Sequence, residues 1–130
     1  SVTGLTDFAN ADLRIALCAI EVPCGAAADK IFTATGILPA PDTYEANVTA
    51  TLNRAVSGEV DAALVYRTDA IGAGETVGSI EFPESADAVN NNLIAQLTTA
   101  PNPEAAAAFI ALVNSPEGQT ILSDAGFTLP

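Results

Sequence analysis

The chain has 130 residues, enough for one domain with a buried core, and 49% of them are apolar. Sixteen acidic against four basic residues give a net charge of −12, which argues against nucleic acid and anionic membranes as partners, because both reward clusters of lysine and arginine. Histidine is absent, which excludes Ser-His-Asp and Cys-His catalysis and histidine-based zinc sites together.

Leu5 to Asn10 reads as a short lead-in turn or helix, and Asp12-Leu13-Arg14-Ile15-Ala16-Leu17 as a buried parallel strand. A tight loop, Cys18-Ala19-Ile20-Glu21-Val22-Pro23-Cys24-Gly25, leads into a helix over residues 25–35. Its Ala27, Ala28, Ile31 and Phe32 share one face, and Gly36 supplies the stop. Ile37 to Thr43 holds two prolines and no periodicity, so it reads as connection. A second helix is predicted from Val48 to about Ser57, with Asn47 as N-cap, Leu52, Ala55 and Val56 facing inward and Gly58 ending it.

Ala62-Ala63-Leu64-Val65-Tyr66 is predicted as a strongly buried strand, Thr68 to Ile71 as the start of a short helix, and Val77 to Phe82 as a further strand by its alternation. After the polar Asn90-Asn91-Asn92, Leu93 to Leu97 reads as one more strand. Helices follow at Pro103 to Val113 and from Pro116, capped by Ser115, to about Ala125 with Gly126 beyond it. Alternating strands and helices predict an α/β fold with a mostly parallel sheet flanked by helices.

The ends of such strands and the starts of such helices share one edge, where ligands bind. Cys24 and Val48 stand at the beginnings of the first two helices, and Tyr66 at the carboxyl end of the buried strand. Two sets of unpaired backbone N–H groups and one phenol form a neutral donor set able to hold a dehydrated anion without lysine or arginine. By periodicity alone, Val48 reads instead as a core residue at a helix start and Tyr66 as a half-buried tyrosine.

Five residues separate Cys18 from Cys24, so the redox spacing C-x-x-C is absent. The favoured reading is a structural disulfide worth about 2 kcal/mol in the chain-entropy model, which would imply an oxidising compartment. Two free thiols, and with them a thiol-based redox protein, are the alternative. Asp61 and Asp69 flank the Val-Tyr strand too far apart to act as paired acid and base, and read as a turn residue and a helix cap. Arg67, adjacent to Tyr66, points to the other face and reads as solvated or ion-paired.

Several motifs in order, Val22-Pro23-Cys24-Gly25, Glu45-Ala46-Asn47-Val48, Gly58 through Ala70 with Leu64-Val65-Tyr66, Phe82-Pro83-Glu84, and Ser115-Pro116-Glu117-Gly118-Gln119 through Ala125-Gly126-Phe127, resemble the molybdate-binding proteins of ABC transporters. The resemblance implies one lobe of a type II periplasmic-binding-protein fold. Residues 1–97 would form the ligand-binding lobe and end in a hinge strand, and residues 98–130 the C-terminal helices, whose Phe109, Ile110 and Val113 would pack on an opposite lobe. It also implies a preceding segment, absent from these 130 residues, that supplies two serines and much of that lobe. The first strand of the present lobe is expected to be missing too.

Carried over residue by residue, the resemblance assigns the backbone N–H groups of Cys24 and Val48 and the hydroxyl of Tyr66 to a tetrahedral oxyanion, molybdate or tungstate. It leaves the sulfur of Cys24 free to bond Cys18. No catalysis, cofactor or other metal is implied. The partners expected are the oxyanion, the ABC permease in the full-length protein, and a second copy or a complementary N-terminal fragment. The location expected is extracytoplasmic, either periplasmic or anchored at the cell surface. The alternative is a lobe that binds no oxyanion and self-associates as a dimerising interaction module.

Overall fold

The sheet is built around its middle strand. In the computed structural model, which describes residues 1–129, β1 (Ile15–Cys18) pairs in parallel with β2 (Thr43–Glu45) on one side and β3 (Ala62–Ala63) on the other. Cys18 stands opposite Glu45 in one ladder, and Ile15 opposite Ala62 in the other. A strand covered on both faces needs successive apolar residues rather than alternation, and all four residues of β1 are buried.

Helix α1 (Pro23–Thr35) contributes Ala28, Ile31 and Phe32 to the core that contains Ile15 and Leu17, and Gly36, at φ 70°, ends it in the left-handed region. A 3-10 turn over Leu5–Ala9 adds Leu5 and Phe8, whose ring lies 5.8 Å from that of Phe32. Helix α2 (Val48–Val56) begins at Asn47, whose side chain accepts a hydrogen bond from the Ala50 N–H at 2.9 Å. This is the N-cap expected from the sequence.

The α/β architecture and parallel sheet are as read from the sequence, but several elements differ. Strand β2 lies partly in a segment read as connection. It has only three residues, and it is held by main-chain bonds to its neighbour, including Asp42 N–H to the Ile15 carbonyl at 2.9 Å. The predicted inward position of Val56 is wrong, since this side chain is 45% exposed. The buried stripe of α2 runs through Val48, Thr51, Leu52 and Ala55, and one step beyond Ala55 turns about 100° away from it.

Strand β3 stops at Ala63, and Leu64, Val65 and Tyr66 are half-buried rather than strongly buried. The chain must turn there because Tyr66 is the N-cap of α3 (Arg67–Ala73), and its N–H donates to the Asp69 carboxylate at 3.1 Å rather than to a ladder.

Val77 to Phe82 and Leu93 to Leu97 form no strand. Alternation selects a face but does not supply a neighbour; both flanks of β1 are occupied, and neither segment pairs with β2 or β3. The first instead carries Phe82 to the core and enters a 3-10 helix over Pro83–Ala88 that packs on α1. In the second, Leu93 is 93% exposed.

The described chain divides into two compact units, Ser1–Asn90 and a second from Asn91 onward. Within the second, α4 (Pro103–Val113) and α5 (Pro116–Asp124) are capped by Asn102 and Ser115 and pack on each other. Gly118 permits the close turn between them, because a Cβ there would meet the Val113 carbonyl oxygen at 2.6 Å. Phe109 is 59% exposed, while Ile110 and Val113 are partly covered.

At the amino edge of the sheet, Arg14 grips Asp61 with Nη2 to Oδ1 at 2.8 Å and Nε to Oδ2 at 3.1 Å, and its own N–H donates to Oδ2 at 2.9 Å. These bonds, the side-chain ones first, hold the Asp61 carboxyl down from 3.8 to about 2. A folded-state pKa below the unfolded one contributes stability that is complete above about pH 4 and lost as the pH falls toward 2. Urea midpoints of the wild type and Asp61→Asn are therefore expected to differ at pH 6 and to converge between about pH 4 and pH 2.

Candidate functional site

Because the three strands are parallel, the turns that leave them emerge on one edge. Residues 19–22 follow β1, Ala46 and Asn47 follow β2, and residues 64–66 follow β3. Cys24, Val48 and Tyr66 all belong to this carboxyl side. Cys24 is the second residue of α1, Val48 the first of α2, and Tyr66 the residue before α3; all three are half-buried.

The first bond of α1 joins the Ala26 N–H to the Val22 carbonyl at 3.0 Å, and Pro23 has no N–H to leave unpaired. The N–H groups of Cys24 and Gly25 therefore keep no acceptor among the described residues. In α2 the Asn47 cap takes the Ala50 N–H, and the Asn47 carbonyl takes that of Thr51 at 3.2 Å. Val48 and Thr49 are left with N–H groups that have no acceptor among the described residues. Each helix start thus offers two donors at the positive end of its dipole.

Two covalent details set the first of these helix starts. Cys18, the last residue of β1, is disulfide-bonded to Cys24, with Cα atoms 5.7 Å apart, so the structural-disulfide reading holds and neither cysteine is a free thiol. Gly25 brings α1 against the preceding loop, because a Cβ there would lie 2.8 Å from the Cys18 carbonyl oxygen and closer still to that of Ala19. Thr51 is the one buried polar residue among those described, at 0% exposure. Its hydroxyl donates to the Asn47 carbonyl at 3.0 Å and lies 3.2 Å from the Cys18 sulfur.

The Tyr66 phenol oxygen accepts a hydrogen bond from the Asn90 side-chain amide at 3.0 Å. Burial pushes its pKa up, the Asn90 bond opposes this, and the Asp69 charge adds to the rise. The hydroxyl stays protonated at neutral pH, and with Asn90 supplying the donor to the oxygen, the phenol proton remains available to a ligand.

All three arginines are committed elsewhere. Arg14 holds Asp61, Arg54 donates from Nε to Glu45 at 2.8 Å and also binds Glu59, and Arg67 meets Glu81 at 2.9 Å. The ion-paired reading of Arg67 and the capping role of Asp69 hold, while Asp61 is the carboxylate that Arg14 grips. An anion at the carboxyl edge would meet neutral donors.

Two surface hollows are present among the described residues. One of about 290 Å³ is lined by Glu45, Ala50, Asn53, Arg54, Ser57 and Glu59, and one of about 90 Å³ by residues that include Leu17, Cys18, Ile20, Gly25, Phe32 and Tyr44, so the second borders the start of α1. Neither is lined by Cys24, Val48 or Tyr66. The sequence reading also passed over Thr51 and Asn90. Thr51 could have been noticed as a polar residue three positions after Val48 in an apolar stripe, whereas Asn90, 24 residues from Tyr66, carried no signal.

A small parallel sheet flanked by helices, with its turns and helix starts gathered at one edge, is consistent with part of a periplasmic-binding-protein fold. The family described as bacterial extracellular solute-binding protein matches residues 1–128, and the chain belongs to it. It is similar to the molybdate-binding protein ModA of Mycobacterium bovis and of Mycobacterium tuberculosis, 37% identical over 129 residues in each case. Those matches cover 99% of this chain and 49% of the relative, so the chain spans about half the length of the curated relatives it matches. No solved structure matches. No described helix is long and apolar enough to cross a membrane.

The close approach at Gly25 is open to direct test. Gly25→Ala forces α1 away from residues 18–19 and is expected to destabilise the protein by roughly 1–3 kcal/mol, the usual cost of overpacking, as read from urea denaturation.

Proposed function

We propose that this chain holds a tetrahedral oxyanion, molybdate or tungstate, as part of the substrate-binding component of an ABC uptake transporter. The observation that carries the reading is a chain similar along 99% of its length to proteins named for binding molybdate, whose carboxyl sheet edge offers neutral donors while its arginines are occupied. The N–H groups of Cys24 and Val48 and the Tyr66 hydroxyl are the ligand-binding groups. They act by hydrogen bonding to a charged acceptor, which is stronger than bonding to a neutral one. No covalent step is performed on the ion, and no cofactor takes part.

The net charge of −12 does not oppose this, because long-range repulsion is screened within about 8 Å at physiological salt while the donors act at contact distance. Molybdate and sulfate carry the same charge and differ in radius, so selectivity rests on the spacing of the donors. The component works outside the cytoplasm, in the periplasm or at the cell surface, and delivers the ion to a membrane permease.

Molybdate and tungstate are expected to raise the melting temperature of the protein, and equimolar sulfate to leave it unchanged; the absence of a shift with all three ions removes the reading. Tyr66→Phe keeps the ring and deletes one donor. Calorimetric titration should show molybdate binding weakened about tenfold, the equivalent of ~1.5 kcal/mol for a hydrogen bond to a charged group. A loss below twofold rules out the hydroxyl contact.

A further inference from the structure

Thr51 occupies an unusual place for a hydroxyl. It is wholly buried in α2, on the face that packs against β1, and it is not needed to cap the helix, since Asn47 does that through its own side chain. Its Oγ1 lies 3.2 Å from the Cys18 sulfur and 3.0 Å from the Asn47 carbonyl oxygen. Cys18 is bonded to Cys24 and its sulfur can only accept, so the single Thr51 proton is shared, as a bifurcated donor, between the Asn47 carbonyl and the Cys18 sulfur.

The consequence is a continuous tie between the two donor-bearing helix starts. The disulfide joins the end of β1 to the second residue of α1, and the Thr51 hydroxyl joins the Cys18 sulfur to the residue that caps α2. A shift of one helix start relative to the other would have to break the sulfur contact or move a side chain with no free space around it.

We propose that Thr51 is a positioning residue that, through the Cys18 sulfur, fixes the spacing between the N–H donors of α1 and those of α2, and that this spacing sets the affinity for the oxyanion. The proposal rests on the oxyanion reading above. It gives the disulfide a second task beyond closing its own loop, and it makes a buried hydroxyl that touches no ligand a determinant of binding. Thr51→Val keeps the side-chain shape and removes the hydroxyl, and the Asn47 carbonyl still accepts the main-chain N–H of residue 51 at 3.2 Å, so no polar atom is orphaned. Thr51→Ser keeps the hydroxyl and removes the methyl.

The test compares wild type, Thr51→Val and Thr51→Ser by calorimetric titration with molybdate, and by NMR of the amides of residues 50 and 51 before and after reduction. Dithiothreitol supplies the two electrons and two protons that leave Cys18 and Cys24 as thiols, and itself closes to a cyclic disulfide. The expected result is a fivefold or greater loss of affinity in Thr51→Val, with Thr51→Ser within twofold of wild type. Reduction should move the amide signals in wild type and Thr51→Ser but leave them in place in Thr51→Val. Thr51→Val binding within twofold of wild type, or equal losses in the two variants, overturns the positioning role while the oxyanion reading stands. A wild type that binds no molybdate sinks the oxyanion reading instead, and the amide signals then decide alone: equal movement in all three proteins overturns the tie between the helix starts.

Discussion

The whole carboxyl edge depends on the burial of β1. Its backbone is bonded on both sides and its four side chains are covered on both faces, so the strand has no freedom to slip. The positions at which the chain leaves β1, β2 and β3 follow from that register, and with them the points at which α1 and α2 begin. Cys18 is at once the last buried residue of this strand and the anchor of the disulfide.

From that fixed strand the candidate site is assembled by local rules that reinforce one another. Proline at the first position of α1 removes an N–H that would have needed a partner, glycine at the third lets the helix lie against the loop, and the disulfide holds the second. In α2 the same result comes by another route, an asparagine cap that takes the third donor and leaves the first two. Tyr66 is placed differently again, by a strand that ends early so that its residue can cap α3.

Much of this is legible in the sequence itself. Ile15 to Leu17 has the unbroken apolar run of a doubly covered strand, Asn47 and Ser115 are caps that nothing else explains well, and Gly36 and Gly126 mark helix ends with the positive φ values that glycine tolerates. What failed shares one physical cause. Val77 to Phe82 and Leu93 to Leu97 have strand-like composition, but a strand exists only where a neighbour offers its hydrogen bonds, and Thr43 to Glu45 became one for that reason despite a poor pattern. Long-range pairings such as Asn90 with Tyr66 and Thr51 with Cys18 are properties of the fold, and neither residue type nor spacing announces them. The helix starts were found because caps are local; the groups that orient them were missed because tertiary contacts are not.

The commitment of each arginine to a carboxylate has a kinetic side. With no guanidinium left over to draw an anion in, a dianion approaching the proposed site travels against the field of a chain carrying −12 charges, and only the short-range donors reward its arrival. Added salt weakens that field and leaves the contact hydrogen bonds largely intact, so association should quicken with ionic strength while dissociation stays nearly constant. Such a site would hold its ion more tightly in brine than in dilute buffer, the reverse of what a pocket lined with lysine or arginine would do.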